Sequence, residues 1–232
     1  MPRTQIMCIT LPDVLRPDEL RALQAQLGAS REWVHGSRSA GAQAVAVKDN
    51  EQWSGHASAH AHCSAVVKDA LQRDPVFLSA VLPAAWHLPR FNRYTPEHSH
   101  YGPHVDNALL KSAEGWVRGD ISCTLFLSDP EDYDGGELLI QEPAGARAFK
   151  LPAGHALVYP STYVHEVRPV TRGQRLASFM WMQSWVRDVS QRALLFEMDQ
   201  RITHLRILHG ECSDTVALTG LYHNLLRMWS QP

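Results

Sequence analysis

The stretch GDISCTLFLSDPEDYDGGELLIQEP, residues 119–143, predicts a core built from β-strands. Two short apolar runs, ISCTLFL and ELLI, are separated by an Asp-Pro and an Asp-Gly-Gly turn signal. The same texture extends from about residue 87 to 187 and includes HALVYPS and RLASFMWMQSWV. Runs of roughly four to eight residues, bounded by turn signals, are typical of a compact all-β sandwich or barrel.

Helical patterns flank this β-rich centre on both sides. Residues 16–28 begin with Arg-Pro-Asp-Glu and end at a glycine, and residues 64–83 read as helix interrupted near Pro75. Residues 190–208 and 214–229 again have apolar side chains at helical spacing. We therefore predict a mainly β fold with flanking helices (α+β). We divide the chain into an N-terminal segment, 1–85, a β-rich domain, 86–187, and a C-terminal helical extension, 188–232.

The bulk composition limits the classes of partner. The 232 residues carry 22 Lys and Arg against 24 Asp and Glu, a balance that disfavours nucleic acid and anionic membranes as partners. The N-terminus lacks a secretory signal pattern, and no run approaches the roughly 18 apolar residues of a membrane span. Four cysteines without a CxxC pair indicate reduced thiols. These features predict a cytoplasmic protein with a small-molecule or protein partner.

The excess of histidine, 13 residues, points to a metal site in RYTPEHSHYGPHVDNALL, residues 93–110. His104 and Asp106 are two residues apart, so on an extended segment both side chains point to the same face. A third ligand must come from another part of the chain, and His165 at the start of a predicted strand is the best candidate. Two histidines and one carboxylate, with open positions, suit non-haem Fe(II) oxygenases.

Arg175 lies ten residues beyond His165 and opens the predicted strand RLASFMWMQSW. If its side chain points into the barrel, the period of two predicts the same for Ala177, Phe179 and Trp181. A guanidinium in an apolar barrel requires an anionic partner, and its planar fork matches a carboxylate. A dicarboxylic co-substrate such as 2-oxoglutarate would supply that partner while chelating the metal through its other end.

The segments YGPHVDNA, DGGEL, LPAGHALVYPSTYVHEVRPVTRGQR and YHNLLRMW together resemble the bacterial PKHD-type hydroxylases, which are related to the prolyl hydroxylases. The resemblance covers nearly the whole chain. It implies a double-stranded β-helix (jelly-roll) core, Fe(II), 2-oxoglutarate, O2, and L-ascorbate as an auxiliary reductant. It also implies metal ligands at His104, Asp106 and His165 and a 2-oxoglutarate arginine at Arg175, the residues that the spacing favours.

More distant prolyl hydroxylases suggest further pocket residues. The resemblance places Tyr94 near the co-substrate and Trp181 in the pocket. Where those enzymes have a second tyrosine on the far carboxylate, this chain has Phe126. The missing hydrogen-bond donor is therefore open, with Ser122 and Thr124 as candidates on the same strand face.

The remaining histidines receive structural or peripheral roles. His98 and His100 precede the HVD segment, so we interpret them as residues of the pocket rim. His56, His60 and His62 lie close together in HASAHAH, which we interpret as a solvated helix face. The helical ends could build a homo-oligomer.

These observations predict an Fe(II)- and 2-oxoglutarate-dependent dioxygenase. It would hydroxylate a peptidyl residue or a small metabolite and convert 2-oxoglutarate to succinate and CO2. The resemblance also implies a link to iron homeostasis. Two alternatives stay open: a cupin-like metal enzyme that does not use 2-oxoglutarate, and a non-catalytic iron-responsive binding module. Arg175 argues against the first, and the complete set of ligands argues against the second.

Overall fold

The computed structural model describes residues 8–39, 44–112 and 115–231. The strands in these ranges are β1 Ile9–Leu11, β2 Trp33–His35, β3 Lys48–Asp49, β4 Glu51–Trp53, β5 Pro83–Tyr94, β6 His100–His104, β7 Leu109–Ser112, β8 Gly115–Arg118, β9 Ile121–Phe126, β10 Tyr133–Gly135, β11 Leu138–Glu142, β12 Gly145–Phe149, β13 Ala156–Pro160, β14 His165–Val167, β15 Val170–Gly173 and β16 Arg175–Ser184. The α-helices are α1 Pro17–Ala29, α2 Ala57–Gln72, α3 Pro75–Val81, α4 Val189–His209 and α5 Ser213–Trp229.

Two antiparallel sheets form the centre of the described structure. The larger has seven strands in the order β1-β13-β9-β16-β5-β4-β2, and the smaller has five in the order β12-β11-β14-β6-β3. Two further pairs, β10-β15 and β7-β8, lie outside them. Strands β1, β2 and β4 thus join the larger sheet and β3 joins the smaller. The prediction of a mainly β fold with flanking helices is confirmed.

Local sequence explains where the helices begin. Pro17 occupies the first turn of α1, where its missing N–H costs no hydrogen bond, and Asp18 and Glu19 lie at the positive end of the helix. Asp74 separates α2 from α3, because its side chain accepts hydrogen bonds from the backbone N–H groups of Val76 and Phe77. The predicted interruption near Pro75 is this N-cap.

Buried side chains form one cluster on each side of the larger sheet. On the outer side, α1, α2 and α3 contribute Leu23, Leu27, Val67, Leu71 and Phe77 to a cluster with the strands. Between the two sheets lies a second cluster that contains Tyr94, Phe126, Tyr133, Leu138, Ile140 and Tyr159. A third, smaller cluster joins α4 and α5 to the body of the protein through Val186, Leu195, Ile202 and Tyr222. The larger sheet therefore has one face under helices and the other toward the smaller sheet.

Strand β16 runs through the middle of the larger sheet, between β9 and β5. Its register places Arg175 opposite Tyr94, and a register shift lies between Phe179 and Trp181. Three other side chains of β16 are buried in the outer cluster under the helices rather than exposed to solvent: Leu176, Met180 and Met182. Among the described helices, none combines the length and the apolar character needed to cross a membrane.

Candidate metal centre

His104, Asp106 and His165, hereafter the buried triad, meet between the sheets. His104 ends β6 and His165 begins β14, and the two residues are direct partners in the antiparallel register. Asp106 follows two residues after His104, and its Oδ1 lies 4.0 Å from Nε2 of His104. Its Oδ2 lies 3.6 Å from Nε2 of His165. The side chains are 4%, 9% and 6% exposed, so three potential ligand atoms converge in a buried space.

Backbone carbonyls fix the orientation of both imidazoles. Nδ1 of His104 lies 2.9 Å from the carbonyl oxygen of Gly102, and Nδ1 of His165 lies 3.0 Å from that of Tyr163. A carbonyl only accepts, so each Nδ1 carries the proton and each Nε2 presents its lone pair toward Asp106. Such outer hydrogen bonds are characteristic of metal-ligating histidines. The ring of Tyr101 also stacks on His104, with centroids 3.5 Å apart.

Ser122 holds the carboxylate of the buried triad. Its hydroxyl donates a 2.6 Å hydrogen bond to Oδ2 of Asp106, and its oxygen lies 2.8 Å from the hydroxyl of Ser161. This geometry corrects our expectation that Ser122 was available as a donor to the co-substrate, since its proton is already directed to Asp106. The sequence shows that Ser122 faces the barrel, but it does not show which carboxylate the hydroxyl meets.

The electrostatics of the triad favour neutral imidazole. Burial and the neighbouring His165 lower the pKa of His104 to about 4. A neutral imidazole has the free lone pair that a metal requires. Two imidazole nitrogens and one carboxylate oxygen form a donor set that suits Fe(II). The residues present therefore fit an iron ion with open coordination positions.

Arg175 is the most deeply buried cation of the cavity, with 1% of its surface exposed. Within the described structure, its Nε and Nη2 atoms have no hydrogen-bond partner. Its Cζ lies 5.2 Å from the ring centroids of both Tyr94 and Phe126. Buried guanidinium groups are normally hydrogen-bonded, so these donors indicate a place for an anionic ligand.

The turn before β11 makes room for this arginine. Gly136 has φ 68°, and a Cβ atom there would lie 3.1 Å from Cδ of Arg175 and 2.9 Å from Cε2 of Tyr133. The hydroxyl of Tyr133 is buried without a hydrogen-bond partner in the described residues. Burial raises the pKa of Tyr133, and Arg175 opposes that shift. Tyr133 is thus a neighbour of Arg175 that the sequence did not reveal.

A cavity of about 120 Å³ connects the triad to Arg175. Its lining includes four of the residues that the sequence suggested, Tyr94, Ser122, Thr124 and Trp181, whereas Phe126 contacts Arg175 from the adjoining core. Other polar lining residues were missed: Lys48, Asn50, Gln52, Arg90 and Asn92. The sequence could have indicated two of them. Asn92 and Arg90 precede Tyr94 at a period of two on the same strand, so their side chains share its face.

The other histidines that the sequence suggested neither belong to the triad nor line the cavity. His98 belongs with His35 and Asp49 to a second cluster, hereafter the surface trio, in which Nδ1 of His98 lies 2.9 Å from Oδ1 of Asp49. His100 lies on β6. His56 and His62 are exposed. His60 departs from the expected solvated face, because its ring is half-buried and stacks on Trp53 with centroids 5.6 Å apart.

Comparisons with known proteins identify the family of this chain. Residues 89–183 match the model of the 2OG-Fe(II) oxygenase superfamily, and residues 190–231 match that of the PKHD-type hydroxylase C-terminal domain. PKHD-type hydroxylases of Verminephrobacter eiseniae and of a Polaromonas species are 50% and 51% identical to this chain. Each alignment covers 226 residues, 97% of this chain and 99% of the relative. The chain belongs to the PKHD-type hydroxylase family.

Solved structures extend the likeness to the fold. A Pseudomonas putida prolyl-4-hydroxylase is 21% identical with a TM-score of 0.52, covering 76% of this chain and 92% of that one. A Trichoplax adhaerens prolyl hydroxylase, solved with a hypoxia inducible factor peptide fragment, is 17% identical with a TM-score of 0.56, covering 81% and 86%. At these identities the likeness shows the fold alone, and it confirms the jelly-roll prediction.

Membership of the PKHD-type hydroxylases gives the reaction class. This family member is an Fe(II)- and 2-oxoglutarate-dependent dioxygenase, an oxidoreductase that uses O2. Fe(II) and 2-oxoglutarate are the cofactor and co-substrate that the family implies. The predicted enzyme class is therefore confirmed, and the comparisons favour it over both the cupin-like and the non-catalytic alternatives.

Proposed function

We propose that His104, Asp106 and His165 hold the Fe(II) ion and that Arg175 binds the far carboxylate of 2-oxoglutarate. The observation that carries this assignment is the arginine, whose buried Nε and Nη2 lack hydrogen-bond partners among the described residues. A dicarboxylate anchored there extends into the cavity that the triad also lines. When bound, the iron supplies the oxidative chemistry that turns O2, 2-oxoglutarate and a substrate C–H into C–OH, succinate and CO2.

The protein's own residues then act by binding, orienting and excluding water. His104 and His165 offer neutral nitrogen ligands, and Asp106 offsets part of the ion's charge. Ser122 keeps the carboxylate oriented through its 2.6 Å hydrogen bond. The Tyr94 and Phe126 rings flank Arg175 and keep water from its guanidinium. Thr124 and Trp181 line the cavity, and we propose that both contact the co-substrate.

Several finer features extend the same proposal. L-ascorbate would serve as the auxiliary reductant that returns oxidised iron to the ferrous form. A cytoplasmic location suits a chain whose four cysteines are all free thiols in the structure.

Residues 86–187 would form the catalytic domain, with 1–85 packed on it and 188–232 as the helical extension. The substrate would be a peptidyl residue or a small metabolite, within a role in iron homeostasis.

An anaerobic titration tests the co-substrate site without requiring the substrate. Protein loaded with Fe(II) is titrated with 2-oxoglutarate while its visible metal-to-ligand charge-transfer band is followed. We expect a saturable band. Arg175→Ala should require at least about tenfold more 2-oxoglutarate, because the loss of a charge-assisted hydrogen bond costs about 1.5–3 kcal/mol. Iron affinity should change far less.

Arg172→Ala is the matched control. This arginine lies on β15, its side chain is 59% exposed, and its Nε contacts Asp134 at 2.7 Å, so its loss removes the same charge outside the cavity. Its titration should match that of the unmodified protein. If iron is demonstrably bound but no charge-transfer band appears, the result would favour the cupin-like or the non-catalytic alternative. A normal 2-oxoglutarate affinity in Arg175→Ala would remove that arginine from the co-substrate site.

A further inference from the structure

Two cations of the cavity have no role in the site described so far. Lys48 lies on β3 of the smaller sheet and is 7% exposed. Its Nζ lies 4.8 Å from the ring centroid of Tyr101, which in turn stacks on His104. Arg90 lies on β5 of the larger sheet, opposite Phe179 in the register. Both side chains line the cavity, so the two sheets each direct a positive charge into it.

Neither cation forms an ion pair with a carboxylate in the described part of the chain. The contrast with neighbouring arginines is clear, because Arg93 pairs with Glu51 and Arg118 pairs with Asp120 at 2.8 Å. Burial, together with repulsion from Arg90, lowers the pKa of Lys48 to about 8. Burial also lowers the pKa of Arg90. Two like charges that line one partly dry cavity repel each other, and an anion between them would offset that repulsion.

The protein's own contacts do not offset this cost. A cation over an aromatic ring gains a modest attraction, and Tyr101 offers this to Lys48. Asp106 attracts Lys48, but its Oδ2 already accepts from Ser122 and faces His165. Under the proposed function, the two ends of 2-oxoglutarate go to the metal and to Arg175. A further anion in the cavity would pair with Lys48 and Arg90.

We propose that Lys48 and Arg90 bind a carboxylate of the hydroxylated substrate, which is a small-molecule acid. This inference rests on the proposed function and names the substrate class of the same site. The adjoining wall is aromatic, since the rings of Phe179 and Trp181 meet edge to face with centroids 5.4 Å apart. An apolar body on that wall would orient the acid. Because Lys48 is only 7% exposed, a compact ligand reaches it more readily than a folded partner.

Binding of benzoate tests this assignment, with neutral benzamide as the matched ligand. Anaerobic protein loaded with Fe(II) and 2-oxoglutarate is titrated with each compound by calorimetry, and the charge-transfer band is recorded in parallel. We expect benzoate to bind at least about tenfold more tightly than benzamide, because a charge-assisted pair is worth about 1.5–3 kcal/mol. Benzoate should also shift the charge-transfer band, because Lys48 lies over the ring of Tyr101 and that ring stacks on His104.

Two variants probe the cations, and a third controls for charge. Lys48→Met and Arg90→Met keep apolar stems, and each should weaken benzoate at least about tenfold while weakening 2-oxoglutarate by a smaller factor. Lys68→Met removes a lysine of α2 that lies over the ring of Trp86, and this variant should bind both ligands as the unmodified protein does. Thermal unfolding of each variant verifies folding, and because two cations are tested, one unstable variant leaves the other informative.

The outcomes separate this inference from the proposed function. A missing charge-transfer band in the unmodified protein would contradict the proposed function itself. A normal band with equal affinities for benzoate and benzamide would overturn only the carboxylate assignment. Equal losses of 2-oxoglutarate and benzoate in the variants would also overturn it, by assigning the cations to the co-substrate. A capped aspartyl tripeptide that binds more tightly than benzoate would replace the small-molecule acid with a peptide.

Discussion

The described structure contains two groups made of two histidines and one aspartate, and they differ in burial and in the hydrogen bonds of their imidazole nitrogens. The buried triad lies between the sheets with side chains at most 9% exposed. The side chains of the surface trio, His35, Asp49 and His98, are 38–41% exposed. Both groups place three potential ligand atoms within 4.8 Å of one another. Proximity of the residue types is therefore the feature that they share.

The difference lies in what each nitrogen already contacts. In the surface trio, Nε2 of His35 and Nδ1 of His98 lie 3.2 and 2.9 Å from the same oxygen of Asp49, so both are hydrogen-bonded to the carboxylate. In the buried triad the corresponding separations are 4.0 and 3.6 Å, too long for a hydrogen bond. Its Nδ1 protons go to backbone carbonyls instead. A preformed site keeps its lone pairs free.

The largest expected effect comes from removing the carboxylate of the triad. Asp106→Ala should weaken Fe(II) binding by more than about a hundredfold, because losing a ligand exceeds the 10–100-fold cost of losing a residue that only supports one. Anaerobic calorimetry with Fe(II) measures the change. Asp134→Ala, which removes a 58% exposed aspartate, is the control and should bind iron normally. Near-normal iron affinity in Asp106→Ala would contradict the assignment of the triad.

A smaller effect is expected from Ser122, which orients the same carboxylate without touching the ion. Ser122→Ala should weaken iron binding by about 10–100-fold, since Asp106 loses its 2.6 Å donor. The control is Ser178→Ala on the neighbouring strand, where an equally buried hydroxyl donates to the carbonyl oxygen of Arg90. The same titration serves for both variants. Equal iron affinity in the two would show that Ser122 does not support the triad.

The predictable part of the site came from short-range geometry. His104 and Asp106 could be paired because side chains two residues apart on an extended segment share a face, although Asp106 lies just beyond the end of β6. Arg175 could be recognised because a charge that alternates into an apolar barrel needs a partner. Arg90 was accessible by the same reasoning from Tyr94. The fold class followed from runs and turns that are visible within about ten residues of one another.

The other part depended on pairing between distant segments. Lys48 lies on a strand of only two residues, too short to show a period, and it faces the cavity because β3 pairs with β6. The hydroxyl of Ser122 could have met the co-substrate or Asp106, and only the placement of Asp106 decides between them. The surface trio likewise unites residues 35, 49 and 98, which lie far apart in the chain. Register between distant strands is not encoded in any local pattern.

The smallest effect is expected at the surface trio, with Asp49→Asn. Burial alone would raise the pKa of Asp49. Hydrogen bonds from His98 and His35 outweigh burial and lower this pKa below its ordinary value of 3.8. The charged form therefore stabilises the folded state above that value, and the contribution disappears as pH falls through the lower folded-state pKa. Because the side chains are partly solvated, the free energy of unfolding at pH 7 should fall by less than about 1 kcal/mol.

Iron binding by the same variant tests whether the surface trio binds a metal. The amide side chain introduced by Asp49→Asn keeps an oxygen acceptor but loses the charge, so the affinity and stoichiometry of Fe(II) should match those of the unmodified protein if only the triad binds metal. Chemical denaturation and calorimetry measure the two quantities on one preparation. Loss of a second equivalent of iron in Asp49→Asn would show that the nitrogens of His35 and His98 exchange their hydrogen bonds for an ion. Free lone pairs in the metal-free state would then no longer distinguish the two groups.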